Sequence, residues 1–198
     1  MNLDEVIKKR TSVRKYLEKP VALNKIASLL DAARTAPNSG NLQEFKFVVV
    51  NDKNIKNQIA EASLRQFWMN SAPVFIVICS DLSRLENFYK ERAKDYALQN
   101  SAAASMLISL KAVDLGLSSC WVNVFDENAI SRILRIPENV KPQIILVIGY
   151  EEEKSKKKPS RIPLDKLVSF NKYGTKIIDV KNWAKEKYLN KIKKLFAK

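Results

Sequence analysis

The chain has 198 residues, of which 46% are hydrophobic, and its 35 Lys and Arg residues against 21 Asp and Glu residues give a net charge of +14. This length suits a single domain with one core. The chain has no histidine, which excludes Ser-His-Asp and Cys-His catalytic sites and most zinc sites, and we expect no metal. Its four glycines lie too far apart to form a Rossmann G-x-G-x-x-G motif or a P-loop.

Apolar residues recur along the chain at spacings that alternate between those of helices and strands. The first two helices are expected at residues 2–9, capped by Asn2, and at 23–34. Later helices, each begun by an aspartate cap, are expected at 52–62 and 126–134. Strands are expected where β-branched and aromatic residues cluster, at 45–50, 74–80, 118–124 and 144–149. This alternation predicts an α+β fold of layered α/β type, with helices flanking a mixed central sheet.

A long uncharged helix is the most distinctive predicted element. Residues 97–110 are dominated by Ala, Ser and Leu and contain no Gly, Pro or charged residue, which predicts a helix buried on nearly every side. The run is too short and too rich in serine to span a bilayer. Gly116 follows as a left-handed cap. The small side chains allow close approach by another helix, which the second subunit of a homodimer would supply.

Cysteine usage and the N-terminus bear on where the protein works. Cys79 and Cys120 each lie in an apolar run without a C-x-x-C spacing, so both are expected to be buried, reduced thiols. Residues 1–10 lack an apolar signal region, and no run in the sequence reaches the length of a membrane helix. We therefore expect a cytoplasmic protein.

The C-terminal region, residues 172–198, is strongly basic. Its nine lysines against Asp179 and Glu186 give it a charge of +7, half of the net total. Apolar residues recur there at helical spacing from 180 to 195, which predicts a basic amphipathic helical arm attached to a domain at 1–171. The alternative is a surface that binds nucleic acid or an anionic membrane. We expect neither partner, because aromatic and glycine-rich nucleic-acid signatures are missing.

A basic segment after the first helix carries the first candidate binding site. In an extended chain the alternate residues Arg10, Ser12 and Arg14 point the same way, which places two guanidinium groups and a hydroxyl on one side. Such a set can hold a phosphate. The alternative is a solvated basic turn.

A polar loop at residues 37–43 carries the second candidate site. Asn38, Ser39, Asn41 and Gln43 place amide and hydroxyl groups between a helix and a buried strand, which suits the edge of a polar heterocycle. The alternative is a helix-ending turn with hydrogen bonds from the Asn side chains.

Three motifs in this order resemble the nitroreductase family of FMN-dependent NAD(P)H oxidoreductases. They are Arg-Thr-Ser-Val-Arg at 10–14, Ala-Pro-Asn-Ser-Gly-Asn-Leu-Gln at 36–43 and Gly-Leu-Ser-Ser-Cys-Trp-Val at 116–122. The resemblance covers residues 2–168. It implies a nitroreductase-like fold, FMN bound in the domain at 1–171, and a homodimer with two flavins at its interface.

The resemblance also implies which residues bind the cofactor. Residues that match the family's FMN contacts are Arg10, Thr11, Ser12, Arg14, Pro37, Asn38, Ser39, Asn41, Gln43, Trp121, Val122, Asn123, Val124 and Arg161, with Lys158 as a lesser helper. No side chain is implied as a catalytic group, and the backbone N–H of Asn123 would lie near flavin N5. The chain departs from the family where many relatives have glycines at Asn123 and Val124, proline at Glu44 and serine at Asn38.

The implied reaction passes hydride from NADH or NADPH through flavin N5 to an electron-poor small-molecule acceptor, such as a nitroaromatic, a quinone or a flavin, by a ping-pong mechanism. Two alternatives from other classes remain: a basic protein that binds nucleic acid or a membrane surface, and a flavin-binding protein without reductase activity. Six aromatic residues are candidates either for the substrate pocket or for the core: Phe67, Trp68, Phe88, Tyr89, Tyr96 and Phe125.

Overall fold

The computed structural model describes residues 1–152, 160–163 and 166–175. The chain divides into two compact units, Met1–Ser155 and Lys156–Lys198. The predicted boundary between a domain at 1–171 and an arm at 172–198 falls inside the second unit, and that division stays a prediction. The helix predicted for the arm lies outside the described residues. No helix among the described residues is both long and apolar enough to cross a membrane.

Six α-helices belong to the first unit, and three of their starts follow the predicted capping residues. The helices are α1 (Leu3–Lys9), α2 (Leu23–Arg34), α3 (Lys53–Ala62), α4 (Leu82–Tyr89), α5 (Ala93–Asp114) and α6 (Glu127–Leu134). The side chains of Asn2, Asp52 and Asp126 each accept a hydrogen bond from the backbone N–H three residues on, at 2.9 Å. These bonds satisfy amide groups that the helices leave unpaired at their first turns.

The long helix α5 is buried on one side and open on the other. Ala104 and Ile108 are fully buried, whereas Leu98 is 52% and Met106 43% exposed. Within the first unit the helix is therefore buried on one side, because Leu98 and Met106 face away from the core, and burial on the other side by a second subunit stays a prediction. The expected stop is confirmed: Gly116 has φ +72°, in the left-handed region that favours glycine.

Four strands form one antiparallel sheet. They are β1 (Phe45–Val50), β2 (Val74–Asp81), β3 (Ser118–Val122) and β4 (Val140–Gly149), in the order β1-β2-β4-β3. Every neighbouring pair of these four strands is antiparallel, so the α+β class is confirmed, and the described strands differ from the expected mixed sheet, with one parallel pairing at the bridge between Ser12 and Ser119. The connection from β1 to β2 explains the difference. It runs out through α3 and back through residues 63–73, so β2 starts at the end of the sheet where β1 finishes, with Val50 opposite Phe75.

Two strand ends differ from those predicted. The third strand stops at Val122 instead of 124, and just beyond it the Trp121 indole N–H donates to the Asn123 side-chain oxygen. This local side-chain hydrogen bond forms where the chain leaves the sheet and its backbone no longer pairs with β4. The fourth strand begins at Val140, four residues early, and includes Pro142. Pro142 lies opposite Cys79 where the register shifts, a bulge at which the missing proline N–H is tolerated.

The sheet buries both of its faces. On one face Phe75, Val77, Ile145 and Val147 pack in a cluster with residues of α3 and α6, which we call the α3 face. On the other, alternate residues of the same strands pack in a cluster with residues of α2 and α5. Because β2 and β4 are covered on both sides, their central parts, residues 74–79 and 144–148, are continuous apolar runs. Cys79 and Cys120 are buried in the α3-face cluster as free thiols, as predicted.

The segment after α1 is tied to the edge of the sheet. The backbone N–H of Val13 donates to the Ser119 carbonyl at 3.1 Å, beside a parallel bridge between Ser12 and Ser119. The buried Tyr16 hydroxyl donates to the Val13 carbonyl at 2.7 Å. These bonds hold residues 10–14 alongside β3 and orient their side chains.

Candidate functional site

The three predicted phosphate-binding residues lie on the segment that pairs with β3 at Ser119, next to the Cys120 thiol. Burial raises the pKa of Cys120, while Arg14, a hydrogen bond with Ser12, and Arg10 all act to lower it. Because Ser12 pairs with Ser119 and the Val13 side chain is buried, the alternation of an extended chain places Arg10, Ser12 and Arg14 on the side away from the Val13 side chain. Thr11, placed between them in the sequence, is half-buried.

Neither guanidinium at this place is neutralised by the rest of the unit. Among residues 1–152, Arg10 and Arg14 form no ion pair with a carboxylate. Arg14 instead lies over the Trp68 ring, with 5.7 Å between its Cζ atom and the ring centroid. Ser12 and Arg14 are exposed, and Arg10 is half-buried. Two unneutralised cations and a hydroxyl on one surface are suited to an anionic ligand.

The polar loop is a tight left-handed turn. Gly40, Asn41 and Gln43 have φ values of +60°, +54° and +49°, and Ser39–Asn41 forms one turn of 3₁₀ helix. The Asn38 side chain accepts a hydrogen bond from the Gln43 backbone N–H at 2.9 Å and donates to the Ala36 carbonyl at 3.1 Å. The Asn38 side chain therefore holds the turn together, as the alternative interpretation of this loop predicts.

Two other side chains of the loop are left available. Asn41 and Gln43 are exposed, and their side-chain amide groups form no hydrogen bond within the part of the chain that the structure describes. Pro37 is exposed beside them. Asn41 and Gln43 are therefore the loop's free amide groups.

A buried pair of side chains holds this loop from beneath, and sequence reasoning missed it. The Asn100 side-chain oxygen on α5 accepts from both the backbone N–H and the hydroxyl of Ser39, each at 3.2 Å. Its amide group donates to Glu44 Oε1 at 2.8 Å. Glu44 is fully buried, and its Oε2 atom has no hydrogen-bond partner among the described residues. No local signal marks the pair, since Glu44 directly follows Gln43 and Asn100 lies between Gln99 and Ser101 in the sequence.

The end of β3 and the residues after it are the remaining part of the first unit that is predicted to contact FMN. Val122 is 4% exposed and packs in the core, so its side chain cannot contact a ligand. Trp121 is half-buried, whereas Asn123 is exposed and Val124 is 57% exposed. The backbone at Asn123 and Val124 therefore passes the surface at the end of the same strand that carries Cys120.

Comparison with known proteins identifies the family of this chain. The family model described as Nitroreductase family matches residues 7–68 and 62–150. The chain belongs to the nitroreductase family. The FMN reductase [NAD(P)H] of Bacillus subtilis is 32% identical over 178 residues, which cover 81% of this chain and 71% of that protein.

Solved structures confirm the nitroreductase fold. A nitroreductase family protein from Clostridium difficile 630 is 30% identical with a TM-score of 0.75, over 87% of this chain and 99% of the other. The NADPH:FMN oxidoreductase of Vibrio harveyi, whose structure contains NAD+, superposes with a TM-score of 0.80 at 23% identity, over 90% of this chain and 81% of the other. At that identity the second likeness concerns the fold alone.

One basic residue of the nitroreductase pattern lies in the second unit. Arg161 is exposed and donates to the Ser160 carbonyl at 3.5 Å. Lys158 lies outside the described residues. The contribution of both residues to the phosphate contacts stays a prediction.

The six candidate aromatic residues divide by exposure. Phe67 and Phe88 are 48% and 69% exposed, so they are free to face a ligand or another chain. Trp68 and Phe125 are partly buried against the α3-face cluster. Tyr89 and Tyr96 pack edge to face, with 4.7 Å between ring centroids, against the cluster around Leu85.

Proposed function

We propose that this nitroreductase-family protein is an FMN-dependent NAD(P)H oxidoreductase whose FMN phosphate is held by Arg10, Ser12 and Arg14. The observation that carries the proposal is the placement of these three residues on the segment tied to β3 at Ser119, with no carboxylate partner among residues 1–152 for either guanidinium. Membership of the family and the likeness to an FMN reductase [NAD(P)H] support it.

The donor set fits FMN at both of its ends. A phosphate dianion matches two guanidinium groups and a hydroxyl, and each charge-assisted hydrogen bond contributes about 1.5–3 kcal/mol. The exposed amides of Asn41 and Gln43 can donate to and accept from the edge of a flavin ring. The left-handed backbone at Gly40, Asn41 and Gln43 fixes the direction in which those amides leave the loop.

The chain's own contribution is binding and electrostatics. When bound, FMN would supply the redox chemistry, the transfer of a hydride from NADH or NADPH to an acceptor through its N5 atom. The backbone N–H of Asn123 is the group we assign to the vicinity of that atom. The cations Arg10 and Arg14 favour negative charge nearby. No side chain needs to act as an acid or base, in keeping with a chain that contains no histidine.

The acceptor and the order of substrates belong to the same proposal. Nicotinamide and an electron-poor acceptor, whether a nitroaromatic, a quinone or a flavin, bind in turn at one exposed surface, which makes the kinetics ping-pong. The exposed side chain of Val124, at a position where many relatives have glycine, leaves less space above that surface and so favours flat acceptor molecules. Parallel double-reciprocal plots at several acceptor concentrations are expected, and intersecting plots would contradict the shared surface.

A homodimer is the assembly that we propose. The open side of α5 presents Leu98 and Met106, and small residues lie between them at 102 and 103. Such a side suits close packing against the same helix of a second copy. Light scattering at micromolar concentration is expected to give twice the mass of one chain, and a folded monomer would contradict the dimer.

The deciding experiment is optical. The purified protein is expected to show FMN absorption and to oxidise NADH or NADPH when an acceptor is added. A yellow protein that oxidises neither nucleotide would be a flavin-binding protein without reductase activity. A colourless protein that binds nucleic acid or anionic vesicles, with affinity falling steeply as salt rises, would instead support the basic surface-binding alternative.

A further inference from the structure

One aromatic residue lies directly beneath a guanidinium of the proposed phosphate site. The Cζ atom of Arg14 lies 5.7 Å from the centroid of the Trp68 ring. Among residues 1–152 no carboxylate holds Arg14, so this ring is the side-chain contact available to order its exposed end. A cation over a tryptophan face gains roughly 0.5–1 kcal/mol at an exposed site.

Trp68 is itself held in place from two sides. It is half-buried against the α3-face cluster, and its indole N–H donates to the Gln66 side-chain oxygen at 3.2 Å. Its carbonyl accepts from the Ser71 hydroxyl at 2.8 Å. A ring fixed in this way offers Arg14 a stationary surface.

The backbone that brings Trp68 to this position is unusual. Leu64 and Arg65, just after α3, have φ values of +54° and +55°. Such values cost free energy in residues other than glycine and persist where surrounding bonds impose them. Here the Arg65 N–H donates to the Glu61 carbonyl and the Gln66 N–H to the Ala60 carbonyl, both at 3.0 Å. The turn directs Trp68 to the α3 face, where Val13, the neighbour of Arg14, is also buried.

We propose that Trp68 is a positioning residue that holds the Arg14 guanidinium ready for the phosphate of FMN. The inference rests on the proposed function, since it needs Arg14 to contact the cofactor. A free arginine side chain loses up to about 2 kcal/mol of rotamer entropy when a ligand orders it. A side chain ordered beforehand avoids part of that loss, which strengthens binding without a new contact to the ligand.

Trp68→Leu is expected to weaken FMN binding about two- to fivefold, the factor that corresponds to 0.5–1 kcal/mol. Trp68→Phe keeps an aromatic face and is expected to retain most of the affinity. The control is Arg132→Ala, which removes an exposed guanidinium on α6 that the proposed site does not use. The control is expected to leave the FMN Kd unchanged. Quenching of flavin fluorescence during titration of the full-length apo-protein gives each Kd without reference to activity.

A double-mutant cycle separates positioning from a general effect on the fold. In the Arg14→Ala background, Trp68→Leu is expected to have no further effect on the FMN Kd, because the group that the ring positions is gone. If Trp68→Leu weakens binding by the same factor in both backgrounds, or in neither, the positioning role is wrong. If Arg14→Ala alone leaves the Kd unchanged, the proposed phosphate site fails, which is a separate result.

A second variant covers the case in which Trp68→Leu does not fold. Gln66→Leu frees the indole N–H but keeps the ring, and it is expected to weaken FMN binding by less than twofold. That effect is also expected to vanish in the Arg14→Ala background. An effect of Gln66→Leu that persists without Arg14 would overturn the inference.

Discussion

The segment at 10–14 and the loop at 38–43 are both proposed to bind FMN, yet they are built in opposite ways. The segment is fixed through its backbone to β3, which leaves the Arg10 and Arg14 side chains unneutralised within residues 1–152. The loop is fixed through side chains, since Asn38 bonds to the loop itself and Asn100 holds Ser39.

This contrast indicates where binding energy and stability reside. Removal of a charged side chain from the segment takes a ligand contact away but leaves the backbone bonds in place. Removal of a side chain that holds the loop leaves buried polar groups without partners, which costs folding free energy. Changes in the segment should therefore act on the cofactor, and changes around the loop on the fold.

The largest effect is expected from Arg10→Ala combined with Arg14→Ala. Loss of two guanidinium contacts to a phosphate should weaken FMN binding roughly 100-fold or more, by the free energy of charge-assisted bonds. Riboflavin, which lacks the phosphate, should lose less affinity. Fluorescence titration measures both ligands, and Arg132→Ala, an exposed arginine of α6, is the control. An FMN Kd that stays constant in the double variant would show that the segment at 10–14 does not bind the phosphate.

Asn100→Ala is expected to destabilise the fold by about 3 kcal/mol, because it leaves Glu44 buried without its partner. It also removes both bonds to Ser39. Urea unfolding followed by circular dichroism measures the change, with the exposed neighbour Gln99→Ala as the control. Glu44→Gln in the same background removes the charge and should restore part of the loss. An Asn100→Ala protein as stable as the parent would show that the loop does not depend on α5.

Gly40→Ala is expected to cost about 1–2 kcal/mol, since an L-residue is strained at φ +60°. The added Cβ atom would also lie 2.7 Å from the Tyr89 hydroxyl oxygen. Tyr89→Phe removes that oxygen, so the double variant should recover the steric part of the loss and keep the backbone part. Thermal unfolding of Gly40→Ala, Tyr89→Phe and the double variant, each compared with the parent protein, separates the steric part of the loss from the backbone part. Full recovery in the double variant would show that the left-handed backbone carries no strain here.

Ser39→Ala should have the smallest effect, about 0.5–1 kcal/mol, because it removes one hydroxyl bond while the backbone N–H still donates to Asn100. Urea unfolding measures this difference as well. A loss equal to that of Asn100→Ala would mean that the hydroxyl, and not the buried Asn100–Glu44 pair, holds the loop.

Local patterns predicted the segment better than they predicted the loop. The helix Leu23–Arg34 and the strand Phe45–Val50 have the predicted bounds, because apolar periodicity acts over a few residues. The gathering of Arg10, Ser12 and Arg14 also follows from local alternation. The bond between Asn100 and Glu44 joins residues 56 apart in sequence, and no local pattern reveals such a pair. Strand direction likewise depends on the path of the whole connection between strands.

The order of strands in the sheet also constrains how the chain acquires its structure during synthesis. The strand Val140–Gly149 lies between β2 and β3, and among the described residues it is the one neighbouring strand of β3 in the sheet. A growing chain can pair β1 with β2 early, but the inner edge of β2, which is apolar from Val74 to Cys79, stays open until residue 149 has left the ribosome. An open apolar edge invites pairing with other chains. A chain that stops before Val140 would therefore present both the edge of β2 and an unpaired β3, and it should aggregate.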